Sequence, residues 1–228
     1  MSGKDKLRKF RENETFENLF QPTTAEVFQK DYPLKGLWGE KIFGNNNPII
    51  LELGCGKGEY TIALAEKFPE NNYIGVDIKG ARLWKGAKYA TEHNLKNVAF
   101  LRTRIEFIDS IFAPEEVSEI WLTFSDPQPN KPRKRLSSPL FLERYSHILK
   151  GDGIIHLKTD SQLLHEYTLE TIDSEGHILL EANNDIYGTN RAENDDILSV
   201  NTFYEKQFLA KGMAITYAKW RLKEKLEK

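Results

Sequence analysis

The chain has 228 residues, enough to bury a substantial core without disulfides or metals, and its 29% charged and 11% aromatic content is that of a globular protein. A formal net charge of −2 excludes a global basic field, so any grip on nucleic acid must come from local patches. The single cysteine, Cys55, excludes an intrachain disulfide and suits a reducing cytoplasm, while no apolar run approaches the roughly 18 residues of a membrane span.

Residues 1–47 are polar and mixed, with Lys4, Lys6, Arg8, Lys9 and Arg11 in a basic N-terminal arm. This arm and lead-in is expected to be flexible in isolation, and it lacks the apolar centre of a secretion signal. The remainder, 48–228, is expected to form one domain. "PIILEL" reads as a buried strand ending at Gly54, and "EYTIALAEKF" as a helix with apolar residues at helical spacing. "NYIGVDI" is a second strand, "ARLWKGAKYATEHN" a helix closed by Asn94, "NVAFLRT" a third strand and "EIWLTF" a fourth. Ser138-Pro139 starts a helix over "PLFLERYSHILK" that is expected to stop at Gly151. "GIIHLKTD", "HILLEA" and "MAITYAKWRL" complete seven strands, with "SQLLHEYTLETIDSEG" and "NTFYEKQFLAKG" as further helices. This alternation predicts a doubly wound α/β architecture, a mostly parallel seven-stranded sheet whose last strand is antiparallel. Trp84 and Trp121 fall in apolar patterns and read as core, Trp220 less clearly so. The five histidines have no ligand spacing, so no metal is expected.

In such a sheet ligands bind beyond the carboxyl ends of the strands. The first strand delivers "LELGCGKGEY", in which Gly54, Gly56 and Gly58 let the backbone turn and approach a ligand. Nicotinamide dinucleotide and S-adenosylmethionine compete for this loop. A dinucleotide fingerprint would place its third glycine at position 59, which is Glu59, and Glu52 and Glu59 would repel a pyrophosphate. Glu52 suits a cationic ligand instead. Asp77, closing the second strand, stands where a carboxylate accepts hydrogen bonds from ribose hydroxyls. The whole pattern resembles class I S-adenosylmethionine-dependent methyltransferases. Cys55 reads as small-residue packing rather than a nucleophile.

"LTFSDPQPNKPRKRLSS" raises a separate question, because an apolar strand gives way to Asp126 and then to Lys131, Arg133, Lys134 and Arg135. Four cations within five residues repel one another unless solvated or met by an anion, and a phosphate backbone is the natural one. With the arm and the tail from Lys219, this loop is expected to form an RNA face.

"LELGCGKG", "YIGVDIKGARL", "FSDPQPNKPRKRL", "FLERYSHILKGDGIIHLKTD" and "NTFYE" occur in an order that resembles the bacterial tRNA (guanine-N7)-methyltransferases. The resemblance implies methyl transfer from S-adenosylmethionine to N7 of a guanine in the tRNA variable loop, by a cytoplasmic monomer or homodimer. It implies cofactor contacts at Glu52, Gly54, Gly56, Asp77 and near Arg104, with Asp126 as the central acid. It implies substrate contacts at Asn130 or Lys131, Asp160, Thr202, Phe203, Tyr204 and Glu205. Two departures stand out: "LRTRIE" offers Arg104, with Glu106 nearby, where the family often has an acid, and Asn130 replaces a frequent lysine. Asp160 also reads as a helix N-cap, and Thr202 with Glu205 as a capping box. A small-molecule methyltransferase, an aminopropyltransferase and a non-catalytic tRNA-binding protein are the competing readings.

Overall fold

A computed structural model describes residues 3–224, with the side chains of residues 3 and 4 left aside; the expected contributions of Lys4 and of the tail beyond Glu224 lie outside the described side chains. The chain comprises two compact units, Met1–Ala113 and Pro114–Lys228.

The first unit opens with helix α1 (Gly3–Asn13), strand β1 (Leu19–Phe20) and the short helix α2 (Thr24–Val27). The stretch expected as a flexible arm is therefore ordered. A π-helical turn at Trp38–Phe43 follows, then β2 (Ile49–Leu53), α3 (Glu59–Lys67), β3 (Asn72–Asp77), α4 (Gly80–Glu92), β4 (Val98–Arg102) and α5 (Ile108–Ile111). The four strands pair in parallel in the order β1-β4-β3-β2. Every residue of β2 and β3 is buried, so both read as continuous runs rather than alternations, as parallel strands covered on both faces do.

Two large rings explain why this unit holds its lead-in. Trp38 is fully buried, donates its indole N–H to the Ile111 carbonyl at 3.1 Å, and stacks on Phe112 at 5.4 Å between centroids. An indole hides about 150–250 Å², a gross stabilisation of roughly 4–6 kcal/mol. Phe100 on β4 fills the space under the glycine loop, and a Cβ at Gly58 would collide with its ring. Gly58 also has φ +71°, so both space and backbone require glycine there. The α1 helix packs on α4: the buried Asn13 amide donates to the Gly80 carbonyl at 2.9 Å, and Glu12 accepts from the Trp84 indole at 2.6 Å. Trp84, expected in the core, is half-buried under Arg8 and Lys9, whose charges lie 5.1 and 4.8 Å from its ring.

The second unit contains β5 (Val117–Thr123), α6 (Pro139–Tyr145), β6 (Leu149–Thr159), α7 (Gln162–Ser174), β7 (Ile178–Asn183), α8 (Phe203–Leu209) and β8 (Thr216–Arg221). Here β5 and β6 are parallel, and β8 runs antiparallel between β6 and β7. The last strand is antiparallel as expected, and the described residues hold eight strands rather than seven because the two-residue β1 carries too little pattern to read. Helix α6 stops at Tyr145, not at Gly151. Leu149 pairs with Val117 and starts β6 inside the expected helix, so tertiary pairing overrides the local helical spacing. Trp121 and Trp220 are both buried.

Candidate active site

The glycine loop leaves β2 with Gly54, Gly56 and Gly58 all at positive φ, held by Gly54 and Cys55 amides donating to the Val76 carbonyl at 2.8 and 3.1 Å. Both predicted acids are buried beside it. Glu52 accepts from the Thr61 amide at 2.9 Å and from the Thr61 hydroxyl. That amide is the third of α3, so the carboxylate of β2 caps the helix and complements the positive end of its dipole. Asp77 accepts from the Gly56 amide at 3.0 Å through one oxygen and from the Lys79 amide at 2.7 Å through the other. The two acids thus shape the loop as well as charging it. Burial, reinforced by Glu52 and Asp77, pushes the Cys55 thiol well above its ordinary pKa, in keeping with a packing role.

Directly after Asp77, Ile78 lines a cavity of about 300 Å³ with Thr103, Arg104, Phe107 and the lead-in residues Gln21 and Thr24. Arg104 is exposed and donates to Glu106 at 3.1 Å, so the two alternatives at this position are tied to each other. The lining fits a nucleoside: paired acids, a glycine turn, and a cleft of mixed polar and apolar side chains one residue beyond the ribose-type acid. The wall from Gln21 to Thr24 was not legible in sequence, because nothing local marks a polar lead-in as part of a cleft.

In the second unit Asp126 lies three residues beyond the end of β5 rather than at it. Phe124 takes φ +48°, an unusual conformation for a ring-bearing residue, and its amide still bonds the Lys158 carbonyl at 2.9 Å. Asp126 is exposed, and its Oδ1 accepts from the Gln128 amide at 3.0 Å in an Asx turn, with Gln128 at φ +44°. The basic loop divides. Lys131, Arg133 and Lys134 are exposed together with Asn130, whereas Arg135 is only 5% exposed. Its guanidinium donates to the Pro127 carbonyl at 2.9 Å and lies 4.3 Å from the Tyr167 ring centroid. The expectation of four equivalent cations is therefore corrected to three, because Arg135 turns inward to bind its own loop.

Asp160 directly follows β6 and is half-buried, with burial raising its carboxyl pKa. The cap of α7 is not Asp160 but Ser161, whose side chain accepts from the Leu164 amide at 3.3 Å. Thr202 and Glu205 form the capping box of α8, and Phe203 and Tyr204 are 50% and 43% exposed on its first turn. Glu205 is fully buried, which the reading as a substrate contact did not anticipate. Its carboxylate meets Lys158 Nζ at 2.7 Å and accepts from the Tyr187 hydroxyl at 2.8 Å. Lys158 also donates to the Leu198 and Val200 carbonyls at 2.8 and 3.0 Å, tying the preceding loop to α8. Burial lowers the Lys158 pKa and Glu205 opposes it. The lysine of "KTD" carried this signal, since a lysine inside an apolar strand needs a buried partner.

A larger groove of about 1060 Å³, lined by Leu140, Leu142 and His177 among others, includes Arg133 of the basic loop but neither Asp126 nor any expected cofactor contact. Among the described residues no three His, Cys, Asp or Glu side chains gather as a metal site, and no helix is long and apolar enough to cross a membrane.

The same α/β arrangement occurs in solved methyltransferases. The 16S rRNA methyltransferase KamB superposes with a TM-score of 0.63 over 81% of this chain and 92% of that one, at 14% identity. Geranyl diphosphate C-methyltransferase from Streptomyces coelicolor does so with a TM-score of 0.53 over 94% and 81%, at 12% identity. The fold is thus that of the Rossmann-like methyltransferases. Residues 46–218 match the family model described as "Putative methyltransferase". The chain is 52% identical to the tRNA (guanine-N(7)-)-methyltransferase of Christiangramia forsetii over 98% of this chain and 100% of that protein. It is 49% identical to that of Bacteroides thetaiotaomicron over 96% and 86%. The chain belongs to the tRNA (guanine-N7)-methyltransferase family.

Proposed function

We propose that this protein transfers a methyl group from S-adenosylmethionine to N7 of a guanine in the variable loop of tRNA, in the cytoplasm. The observation that carries the reading is the turn at Asp126, where one exposed carboxylate is fixed beside three exposed cations. A small-molecule enzyme on this fold has no use for those cations, and a lapsed binding protein has no use for an exposed carboxylate fixed at that turn.

S-adenosylmethionine supplies a methyl group on a sulfonium, already activated for displacement. Asp77 would accept the ribose hydroxyls of the bound donor, Glu52 would provide a negative field for its cationic end, and Ile78 and Thr103 would line the place of its adenine. Guanine N7 has a free lone pair, so no base must remove a proton before attack. The N7–carbon bond forms as the sulfur–carbon bond breaks, and the base leaves with one positive charge. The protein's task is alignment, which can lower a barrier by about 7–11 kcal/mol. Asp126 orients the guanine by accepting from its N1–H and amino edge, and its charge favours the cationic product. Asn130, Lys131, Arg133 and Lys134 meet the RNA, with Asp160, Thr202, Phe203 and Tyr204 completing the substrate rim.

The test is labelled methyl transfer to bulk tRNA, followed by strand cleavage at N7-methylguanine. Asp126→Asn is expected to reduce turnover about 10²–10³-fold, the scale for losing one preorganised electrostatic contact, while cofactor affinity holds. Equal loss of both would reject the orienting role.

A further inference from the structure

Resting on the reading of Asp126 above, we propose that Arg135 is a positioning residue for catalysis, a clasp that sets the Asp126 turn rather than a contact to RNA. Its neighbours Arg133 and Lys134 project into solvent, but Arg135 is withdrawn to 5% exposure. A guanidinium is buried at a cost of several kcal/mol unless its hydrogen bonds and charge are met. Among the described residues it pairs with no carboxylate; what holds it is its own loop. Nε donates to the carbonyl of Pro127, the residue next to Asp126, at 2.9 Å, and Nη2 lies 3.5 Å from the Pro129 carbonyl. Tyr167 of α7 supports the charge by lying 4.3 Å from it.

Pro127 and Pro129 have no N–H to donate, so the loop's own backbone bond runs from the Lys131 amide to the Gln128 carbonyl at 3.0 Å, and Arg135 takes the carbonyls of the two prolines that flank Gln128. Gln128 between them sits at φ +44°, a conformation that glutamine adopts only when its surroundings impose it. The Gln128 amide in turn holds the Asp126 carboxylate at 3.0 Å. A chain of contacts therefore runs from Tyr167 through Arg135 to Pro127, Gln128 and the acid. The planar fork matters, since a lysine can reach one carbonyl but cannot span two while stacking on a ring.

Arg135→Lys and Arg135→Gln should lower kcat about 10–10²-fold, the scale on which a displaced reacting group costs rate. The KM for tRNA and the Kd for S-adenosylmethionine should stay within about twofold, and the salt slope of tRNA binding should match wild type. Tyr167→Leu, which removes the platform but leaves the arginine, should lower kcat in the same direction and by less, and it serves if the Arg135 variants fail to fold. A wild-type kcat in soluble Arg135→Lys or Tyr167→Leu would overturn the proposal. So would a salt slope reduced by about 0.7–0.9, which would make Arg135 a phosphate contact. Asp126→Asn measured alongside separates the two levels: if it retains full turnover, the role of Asp126 is wrong; if it loses turnover while the clasp variants do not, only the clasp is wrong.

Discussion

The two units secure their functional carboxylates in different ways. In Met1–Ala113, Glu52 and Asp77 accept hydrogen bonds from backbone amides and a threonine hydroxyl at loop and helix starts. In Pro114–Lys228 Asp126 also accepts from a backbone amide, that of Gln128, but buried cations stand behind the rim: Arg135 holds the Asp126 turn and Lys158 meets Glu205. A neutral donor that gives up a carboxylate to a ligand leaves no charge stranded, so the exchange costs less than it would at a buried ion. A buried cation that loses its partner strands a charge. The first arrangement suits a cofactor that enters and leaves at each turnover. The second suits a rim that must keep its shape when a large, highly charged substrate docks.

The largest expected effect tests that contrast directly. Glu205→Ala should destabilise the protein by about 3–5 kcal/mol, because it leaves the Lys158 ammonium buried without its carboxylate. Urea unfolding measures this, and Glu205→Gln should recover part of the loss, since an amide oxygen still accepts from Lys158. A Glu205→Ala protein as stable as wild type would mean that the pair opens to solvent and that the rim is no more rigid than the cofactor loop. In the first unit Asp77→Asn should behave in the opposite sense. Its cofactor Kd should rise by about 1.5–3 kcal/mol in free-energy terms, the worth of hydrogen bonds to a charged group, with a smaller change in urea midpoint. Titration with S-adenosylmethionine by calorimetry reads the first quantity. If stability falls more than affinity, Asp77 is chiefly a loop support and the contrast between the units weakens.

How far these arrangements were legible in sequence follows the same division. The glycine loop, Glu52 and Asp77 lie within a run of residues whose spacing carries the geometry, so their elements and their gathering at one loop could be read together. Asp126 was conspicuous because an acid before two prolines has no packing reason to be there. The supports were not legible. Arg135 looked like one of four equivalent cations, and only the fold turns it inward. Glu205 looked like a capping-box acid, which it is, but its meeting with Lys158 joins residues 47 positions apart. The α1–α4 packing was hidden for a related reason: an arm rich in charge satisfies itself through Arg8 with Asp5 and Glu12, and nothing local announces Trp84 as its seat.

The smallest effect concerns pH and again separates the units. Burial lowers the pKa of His156, His165 and His177, all in the second unit. Around His156 the opposing influences are Glu119 at 3.3 Å, which favours its charged form, and Lys219, which does not. A histidine whose folded pKa lies below the ordinary value is neutral in both states only well above the ordinary value of about 6.5. There its contribution to stability is fully present. As pH falls, the unfolded chain takes up protons first, so stability declines until the folded pKa is passed. Stability should therefore drop between about pH 7 and pH 5. Hydrogen exchange should show β6 and α7 losing protection before β2 and β3. His156→Gln with His165→Gln should flatten that pH dependence. If the slope persists in the double variant, groups other than His156 and His165, His177 among them, carry the acid sensitivity; if β2 and β3 open first, it belongs to the first unit.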